Sequence, residues 1–208
     1  MSTSPTHLPT AVVKLGGSLL DLPDLVQRLD QLRPEWGPRP LVVVGGGGAA
    51  NLVREWDQQH QLGEERAHWL ALDALALTSR LLAALWPIAC VVQRGEYEAV
   101  WGRGQVPLAN AREWFEDSLA EQAPTPPHSW LTTTDTIAAW IAAITGAESL
   151  WLLKSVPGPA SIAEATKLDL VDPHFAEWAP AKIPIHWVNL RKANDSQLLT
   201  GNTMRGAE

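Results

Sequence analysis

Along the chain, short unbroken apolar runs alternate with stretches whose apolar positions recur every three or four residues. Ala11-Val12-Val13-Lys14-Leu15 and Leu41-Val42-Val43-Val44 are runs of the first kind, as are segments 88–93, 150–153 and 185–188. They read as strands buried on both faces. Leu22, Leu25, Val26, Leu29 and Leu32 keep helical spacing, and further helices are predicted over 51–59, 64–86 and 134–145, the last closed by Gly146. Segments 94–105 and 122–129 read as loops, the second holding Pro124, Pro126 and Pro127. Strands alternating with helices imply right-handed crossovers and a mostly parallel sheet covered on both faces. The expectation is one α/β domain over residues 11–205, behind a flexible tail at 1–10.

Composition narrows the class. A chain of 208 residues with 46% hydrophobic content can bury a core without staples. Cys90 is the single cysteine, so no intrachain disulfide forms, which fits a reducing, cytoplasmic setting. The first ten residues are polar, without the basic start and apolar run of a secretory signal. The most apolar region, 70–92, is broken by Asp73, Ser79, Arg80 and Pro87 and falls short of the roughly 18–20 residues of a membrane span. A net charge of -7 argues against a nucleic-acid partner. It leaves room for a small anionic substrate in a locally basic cleft.

Functional loops of a parallel sheet gather at the carboxyl ends of its strands. Three informative loops directly follow strands: Gly16-Gly17-Ser18, Gly45-Gly46-Gly47-Gly48, and the segment from Lys154 through Ser155 to Gly158. Glycine pairs at strand-to-helix turns let backbone N–H groups approach an anion, and the next helix N-terminus favours negative charge. Two such cradles with Lys14 and Lys154 suit phosphoryl transfer, which needs neutralisation and alignment more than covalent chemistry. Asp135 opens the 134–145 helix. It reads either as part of a capping box with Thr132 or as a carboxylate that holds the two lysines.

Plainer readings compete. A lysine beside a glycine pair is often a solvated lysine, and a tight turn explains one or two of four glycines. Gly45-Gly46-Gly47-Gly48-Ala49-Ala50 also fits a dinucleotide fingerprint, but the acid expected about 20 residues on, Glu64 or Glu65, begins a helix instead of ending a strand. The six histidines show no metal-binding spacing, so no metal ligand is assigned. Asp169, Asp172 and His174 are side chains of metal-ligating type, but they read better as a loop with an Asp-Pro turn than as a metal site. The 11 tryptophans are expected mainly in the core and at subunit contacts.

Val13-Lys14-Leu15-Gly16-Gly17-Ser18 resembles the first motif of the amino acid kinase family, and Val43-Val44-Gly45-Gly46-Gly47 its second. Thr134-Asp135-Thr136-Ile137-Ala138-Ala139 resembles its Asp-x-x-Ala helix start. Segment 152–158 resembles its nucleotide-side loop, and Leu199-Thr200-Gly201-Asn202-Thr203 its closing Gly-x-Thr. The resemblance implies a three-layer αβα sandwich with about eight mostly parallel strands, ATP with Mg2+, and direct transfer without a phospho-enzyme. Homo-oligomers are common in the family. By motif match, Lys14 and Lys154 stabilise the transferring group and Asp135 orients them. Gly16, Gly17, Ser18, Ser155 and Gly158 border ATP, while Gly45, Gly46, Gly47 and Asn51 face the acceptor.

Within the family, Ala50-Asn51-Leu52-Val53-Arg54-Glu55, Ala67-His68-Trp69 and Val171-Asp172-Pro173 are similar to the [5-(aminomethyl)furan-3-yl]methyl phosphate kinases of methanofuran biosynthesis. Pro157 stands where most members carry Asp, and Gly48-Ala49 departs from the usual Ser or Glu followed by Phe. A non-catalytic nucleotide or oxyanion binder on the same scaffold is the alternative that Pro157 supports.

Overall fold

The computed structural model describes residues 7–192 and 196–199. Among the described residues seven strands form one sheet: β1 (Ala11–Leu15), β2 (Pro40–Val44), β3 (Ala89–Val92), β4 (Val106–Ala109), β5 (Leu150–Lys154), β6 (Ile185–Asn189) and β7 (Ser196–Leu199), in the spatial order β3-β4-β2-β1-β5-β6-β7. All neighbours pair in parallel except β7, which runs antiparallel to β6. β1 and β5 therefore sit at the centre, where both faces are covered.

Strand parity sorts the core into two layers. Val12, Leu41, Val43, Leu150 and Leu152 face one side. Ala11, Val13, Leu15, Val42, Val44, Trp151 and Leu153 face the other. The first side is packed by α6 (Thr134–Thr145) and by parts of α3 (Glu64–Leu85) and α5 (Ala111–Ala120). The second is packed by α1 (Leu25–Leu32) and the turn that carries Trp36. α6 has ten buried residues among twelve, as expected for a helix apolar around its circumference. The expected sandwich is thus present. Trp36, Trp86, Trp114, Trp140 and Trp187 are fully buried within it.

Several elements differ from the pattern reading. α2 (Gly47–His60) begins inside the glycine run, four residues before the predicted start at 51. The predicted loop 94–105 holds a short helix, α4 (Tyr97–Gly102), which buries Tyr97 and Val100. β4 and α5 were not legible. Pro107 lies inside β4 and lacks an N–H, the usual mark against an interior strand, yet the ladder between β4 and β2 consists of the Val42–Leu108 pair alone. Two short helices, α7 (Ile162–Lys167) and α8 (Phe175–Trp178), follow β5.

No strand separates α2 from α3, and Glu64 and Glu65 occupy the first turn of α3, so the dinucleotide arrangement has no acid-bearing strand end. Among the described residues α3 is the one helix long and apolar enough to span a membrane, contrary to the reading that none approaches that length. It packs here against α2, α5, β2, β3 and β4. At the start of the described chain, Thr10 N–H donates to the Arg39 carbonyl and Thr10 Oγ1 donates to the Trp36 carbonyl.

Candidate active site

Lys14 shares the α6-facing parity of β1 with Val12. Lys14 is opposite Leu152 in the parallel register, so Lys154 lies two residues further along the neighbouring strand on the same face. The N-terminus of α6 meets the sheet at that point and inserts Asp135 between the two lysines. Asp135 Oδ2 accepts a 2.6 Å hydrogen bond from Lys154 Nζ, and Oδ1 lies 3.0 Å from Lys14 Nζ in an ion pair off the hydrogen-bonding axis. All three side chains are buried or nearly so. Burial pushes the Asp135 carboxyl up, but Lys14 and then Lys154 outweigh it and hold it below its ordinary range. Burial and then the nearby Lys14 charge lower Lys154 to about 8, against the opposing pull of Asp135.

Asp135 is not a capping residue. Thr133 is the N-cap of α6, and its side-chain oxygen accepts the Asp135 N–H. A second carboxylate, Asp172, clamps this helix start from outside. Asp172 Oδ2 accepts from Thr133 N–H, Thr133 Oγ1 and Thr136 N–H, and Oδ1 accepts from Thr136 Oγ1 and His174 N–H. Two residues earlier, the Leu170 carbonyl accepts 2.6 Å from Lys154 Nζ. Segment 170–172 thereby fixes both Lys154 and the helix that carries Asp135. The predicted 169–174 loop is a support, and no group of three metal-ligating side chains occurs among the described residues.

The two glycine loops lie against each other at the carboxyl edge of the sheet. A Cβ on Gly17 would collide with the Gly47 backbone nitrogen and sit 2.5 Å from Gly47 Cα. A Cβ on Gly45 would sit 2.6 Å from Gly17 N, and one on Gly47, which adopts φ +51°, would sit 2.7 Å from the Gly17 carbonyl oxygen. The glycines were expected to admit a ligand to the backbone. Gly17, Gly45 and Gly47 first of all admit each other, and Gly48 alone among 45–48 faces open space. Gly17→Ala is therefore expected to lose roughly 1–3 kcal/mol of stability by overpacking. Gly48→Ala should be neutral or gain about 0.5–1 kcal/mol, as for a helical glycine without a contact to lose. Urea denaturation of the two variants checks the contrast; equal losses would remove the loop-packing explanation.

An open cleft of about 480 Å³ spans both loops. Gly17, Ser18, Gly45, Gly46, Gly47 and Asn51 line it as the sequence suggested, and Lys14 forms part of its floor. Lys154 and Asp135 lie behind Lys14 and do not line it. The other cations of the cleft are Arg54 and Arg191. Arg191 Nη2 donates 2.7 Å to the Ser18 carbonyl and 2.6 Å to Asp21 Oδ1, tying the chain after β6 to the first glycine loop. Ser18 Oγ donates to Ser155 Oγ at 3.1 Å, bridging the loops after β1 and β5. Gly16 N–H is committed to the Leu153 carbonyl. Gly158 packs on the Trp187 ring, where a Cβ would come within 2.8 Å.

Residues 9–161 match the sequence profile of the Amino acid kinase family, well over half of the chain. The chain belongs to the amino acid kinase family. A [5-(aminomethyl)furan-3-yl]methyl phosphate kinase of Methanocaldococcus jannaschii is 24% identical over 149 residues, covering 71% of this chain and 66% of that protein, just under two thirds of its length. A uridylate kinase structure from Archaeoglobus fulgidus superposes with a TM-score of 0.53 at 21% identity, over 72% of this chain and 64% of that one. A UMP kinase structure from Ureaplasma parvum superposes with a TM-score of 0.64 at 14% identity, over 93% of this chain and all of the other. These likenesses carry the fold.

For this amino acid kinase family member, Arg54, Arg191 and Asp172 were the site residues the sequence did not single out for a role. Arg54 sits one helical turn past Asn51, within hydrogen-bond reach of its Oδ1 at 3.3 Å, so the helix periodicity of α2 was an available signal. Arg191 reaches the site through tertiary folding after β6, and no local pattern marks it; Asp172 lies in the Val171-Asp172-Pro173 segment that the sequence marked, but its bonds to the start of α6 come from tertiary folding after β5. The closing Gly-x-Thr at 200–203 lies outside the described residues.

Proposed function

We propose that this chain is an ATP-dependent small-molecule kinase that transfers the γ-phosphoryl group to a phosphate or carboxylate oxygen. The observation that supports it most is the buried Lys14–Asp135–Lys154 triad set under two interlocked glycine loops. In this reading, the bond from the γ-phosphorus to the β-phosphate oxygen breaks while one to the acceptor oxygen forms, and ADP leaves. Lys14 offers its charge to the transferring group from the cleft floor. Asp135 keeps Lys14 and Lys154 in register, and Lys154 adds charge from behind. Gly17 and Ser18 border the donor phosphates, and Gly46, Gly47 and Asn51 the acceptor.

The acceptor chemistry follows from what the cleft offers. Its carboxylates are committed: Asp21 to Arg191, and Asp135, behind the floor, to the two lysines. Among the described lining residues none remains to take a proton from an alcohol, so an acceptor oxygen that is already ionised fits best. An aminomethylfuran methyl phosphate, used in methanofuran-type cofactor synthesis, is the specific candidate, supported by the activity for which the 24% identical relative is named. Mg2+ fits this donor set only as an ion held mainly by nucleotide phosphates, which supply ligands that the committed carboxylates do not. Its chemistry there is neutralisation of phosphate charge. A homo-oligomer belongs to this reading too, supported by the exposed Leu77, Leu81 and Leu85 along α3.

The test is ADP release over a panel of phosphomonoesters and acidic amino acids, aminomethylfuran methyl phosphate included. Acceptor-dependent ADP formation is expected. Tight ATP binding with no ADP across the panel would instead favour a non-catalytic binder, the reading that Pro157 supports.

The pH profile gives a second check. Lys154 is lowered to about 8 from 10.5, so turnover that needs its charge should fall as pH rises through about 8, with a slope of one proton. Stability moves the other way. Between about 8 and 10.5 the unfolded chain binds more protons at this residue than the folded chain does, so this lysine's contribution to stability improves with rising pH across that window. A flat kcat from pH 7 to 9.5 would remove the requirement for a protonated Lys154.

A further inference from the structure

β6 ends at Asn189, which is opposite Lys154 in the parallel register with β5. The chain that follows is fixed from several sides. Leu190 is buried in the core layer that α1 packs. Its N–H donates 2.9 Å to the Lys154 carbonyl, and its own carbonyl accepts 3.0 Å from Arg28 Nη1. Arg191 N–H donates to Asn189 Oδ1 at 3.2 Å, and Lys192 N–H to the Asn189 carbonyl at 3.0 Å. The backbone that carries Arg191 is therefore held firmly, and its side chain reaches back to the first glycine loop.

One guanidinium nitrogen makes every bond there. Arg191 Nη2 donates both to the Ser18 carbonyl and to Asp21 Oδ1, and the guanidinium makes no other hydrogen bond among the described residues. Nε and Nη1 thus keep their N–H donors, the flat fork that matches two oxygens of one phosphate. As a surface tie the pair with Asp21 adds little, because the two side chains are 38% and 70% exposed. Its position says more. Arg54 stands beside Asn51 at the second glycine loop, and Lys14 on the floor already answers Asp135. Arg191 is the cleft cation bonded to Ser18, whose hydroxyl in turn bridges to Ser155 after β5. Asp21 is exposed enough to turn to water when a phosphate takes its place on Nη2.

We propose that Arg191 binds the polyphosphate of the donor nucleotide, and that Asp21 and the Ser18 carbonyl hold its guanidinium in position beforehand. This rests on the kinase reading, which puts the donor phosphates at Gly17 and Ser18. The ligand class is a nucleoside triphosphate or diphosphate, recognised here by its phosphate chain and not by its base. Arg191 lies in none of the kinase-like motifs, and it contributes to binding of the donor, leaving the transferring group to Lys14 and Lys154.

The test is calorimetric titration of the full chain with ATP in the presence of Mg2+ and, separately, with inorganic tripolyphosphate. Arg191→Ala is expected to weaken both at least about tenfold, the scale of one charge-assisted contact to phosphate. Arg191→Lys keeps the charge without the fork and should stay at least about threefold weaker than the wild type. Asp21→Asn removes a carboxylate that competes with phosphate for Nη2, and should hold ATP at least as tightly as the wild type. In steady-state kinetics Arg191→Ala should raise the KM for ATP while the KM for the acceptor stays within about twofold. ATP binding by Arg191→Ala within about twofold of the wild type would overturn the proposal. So would an equal loss in Asp21→Asn, which would reduce the pair to a tie between the chain after β6 and the first loop. ATP binding that depends on Arg191, with no ADP formed from any acceptor, would sink the kinase reading and uphold this contact. ADP formation with the KM for ATP unmoved in Arg191→Ala would do the reverse.

Discussion

Asp135→Ala is expected to cost roughly 3–5 kcal/mol of stability, because it strands buried positive charge without a counter-ion. Asp135 is 4% exposed and contacts both lysines, so its loss leaves Lys14 and Lys154 facing each other across a desolvated gap. The carboxylate stabilises by compensation more than by any net gain from the ion pairs. The double variant Asp135→Ala/Lys154→Met is therefore expected to be more stable than Asp135→Ala alone, since one orphaned charge goes with its partner. Urea denaturation of the single and double variants measures this coupling. Simple addition of two losses would show that the triad is not one electrostatic unit. Both variants are expected to lack turnover.

The lysines should part company in how their loss is felt. Lys14→Ala removes the cation on the cleft floor, and turnover is expected to fall roughly 100–1000-fold, the scale of losing one preorganised charge donor. Lys154→Ala should lower turnover on the same order. It should also free the Leu170 carbonyl and one Asp135 oxygen, which Lys154 now holds at 2.6 Å each. A loss of stability should accompany it, and Lys14→Ala should show a smaller one because Lys154 also holds the Leu170 carbonyl. Steady-state kinetics with matched denaturation curves separate the two. Near-wild-type turnover in both variants would end the case for phosphoryl transfer at this site.

The sequence made much of this site legible because parity and strand ends are local properties. Three apolar runs ending in Lys14-Leu15-Gly16-Gly17, Gly45 and Lys154 placed their loops on one edge once the strands were taken as parallel. Register then set Lys14 and Lys154 on one face, and the helix start at Thr134 brought Asp135 to them. What stayed hidden depends on contacts distant in sequence. Asp172 caps a helix that begins 38 residues earlier in the chain, and Arg191 binds Ser18 across 173 positions. β4 carries a proline that argues against a strand, and its sparse pairing with β2 is what tolerates it. The glycines were recognised as a site feature for an incomplete reason. Their first requirement is the close approach of one loop to the other, and the cleft beside them is a consequence of that packing.

That cleft makes a claim about one covalent bond. Phosphorus-31 NMR of the protein with ATP, Mg2+ and a phosphomonoester acceptor reads it directly. The expected result is ADP together with two mutually coupled diphosphate resonances from the acceptor, formed by the wild-type protein and absent with Lys14→Ala. An acceptor phosphate signal that stays a singlet across phosphomonoesters, with no acyl phosphate from carboxylate acceptors, would contradict it.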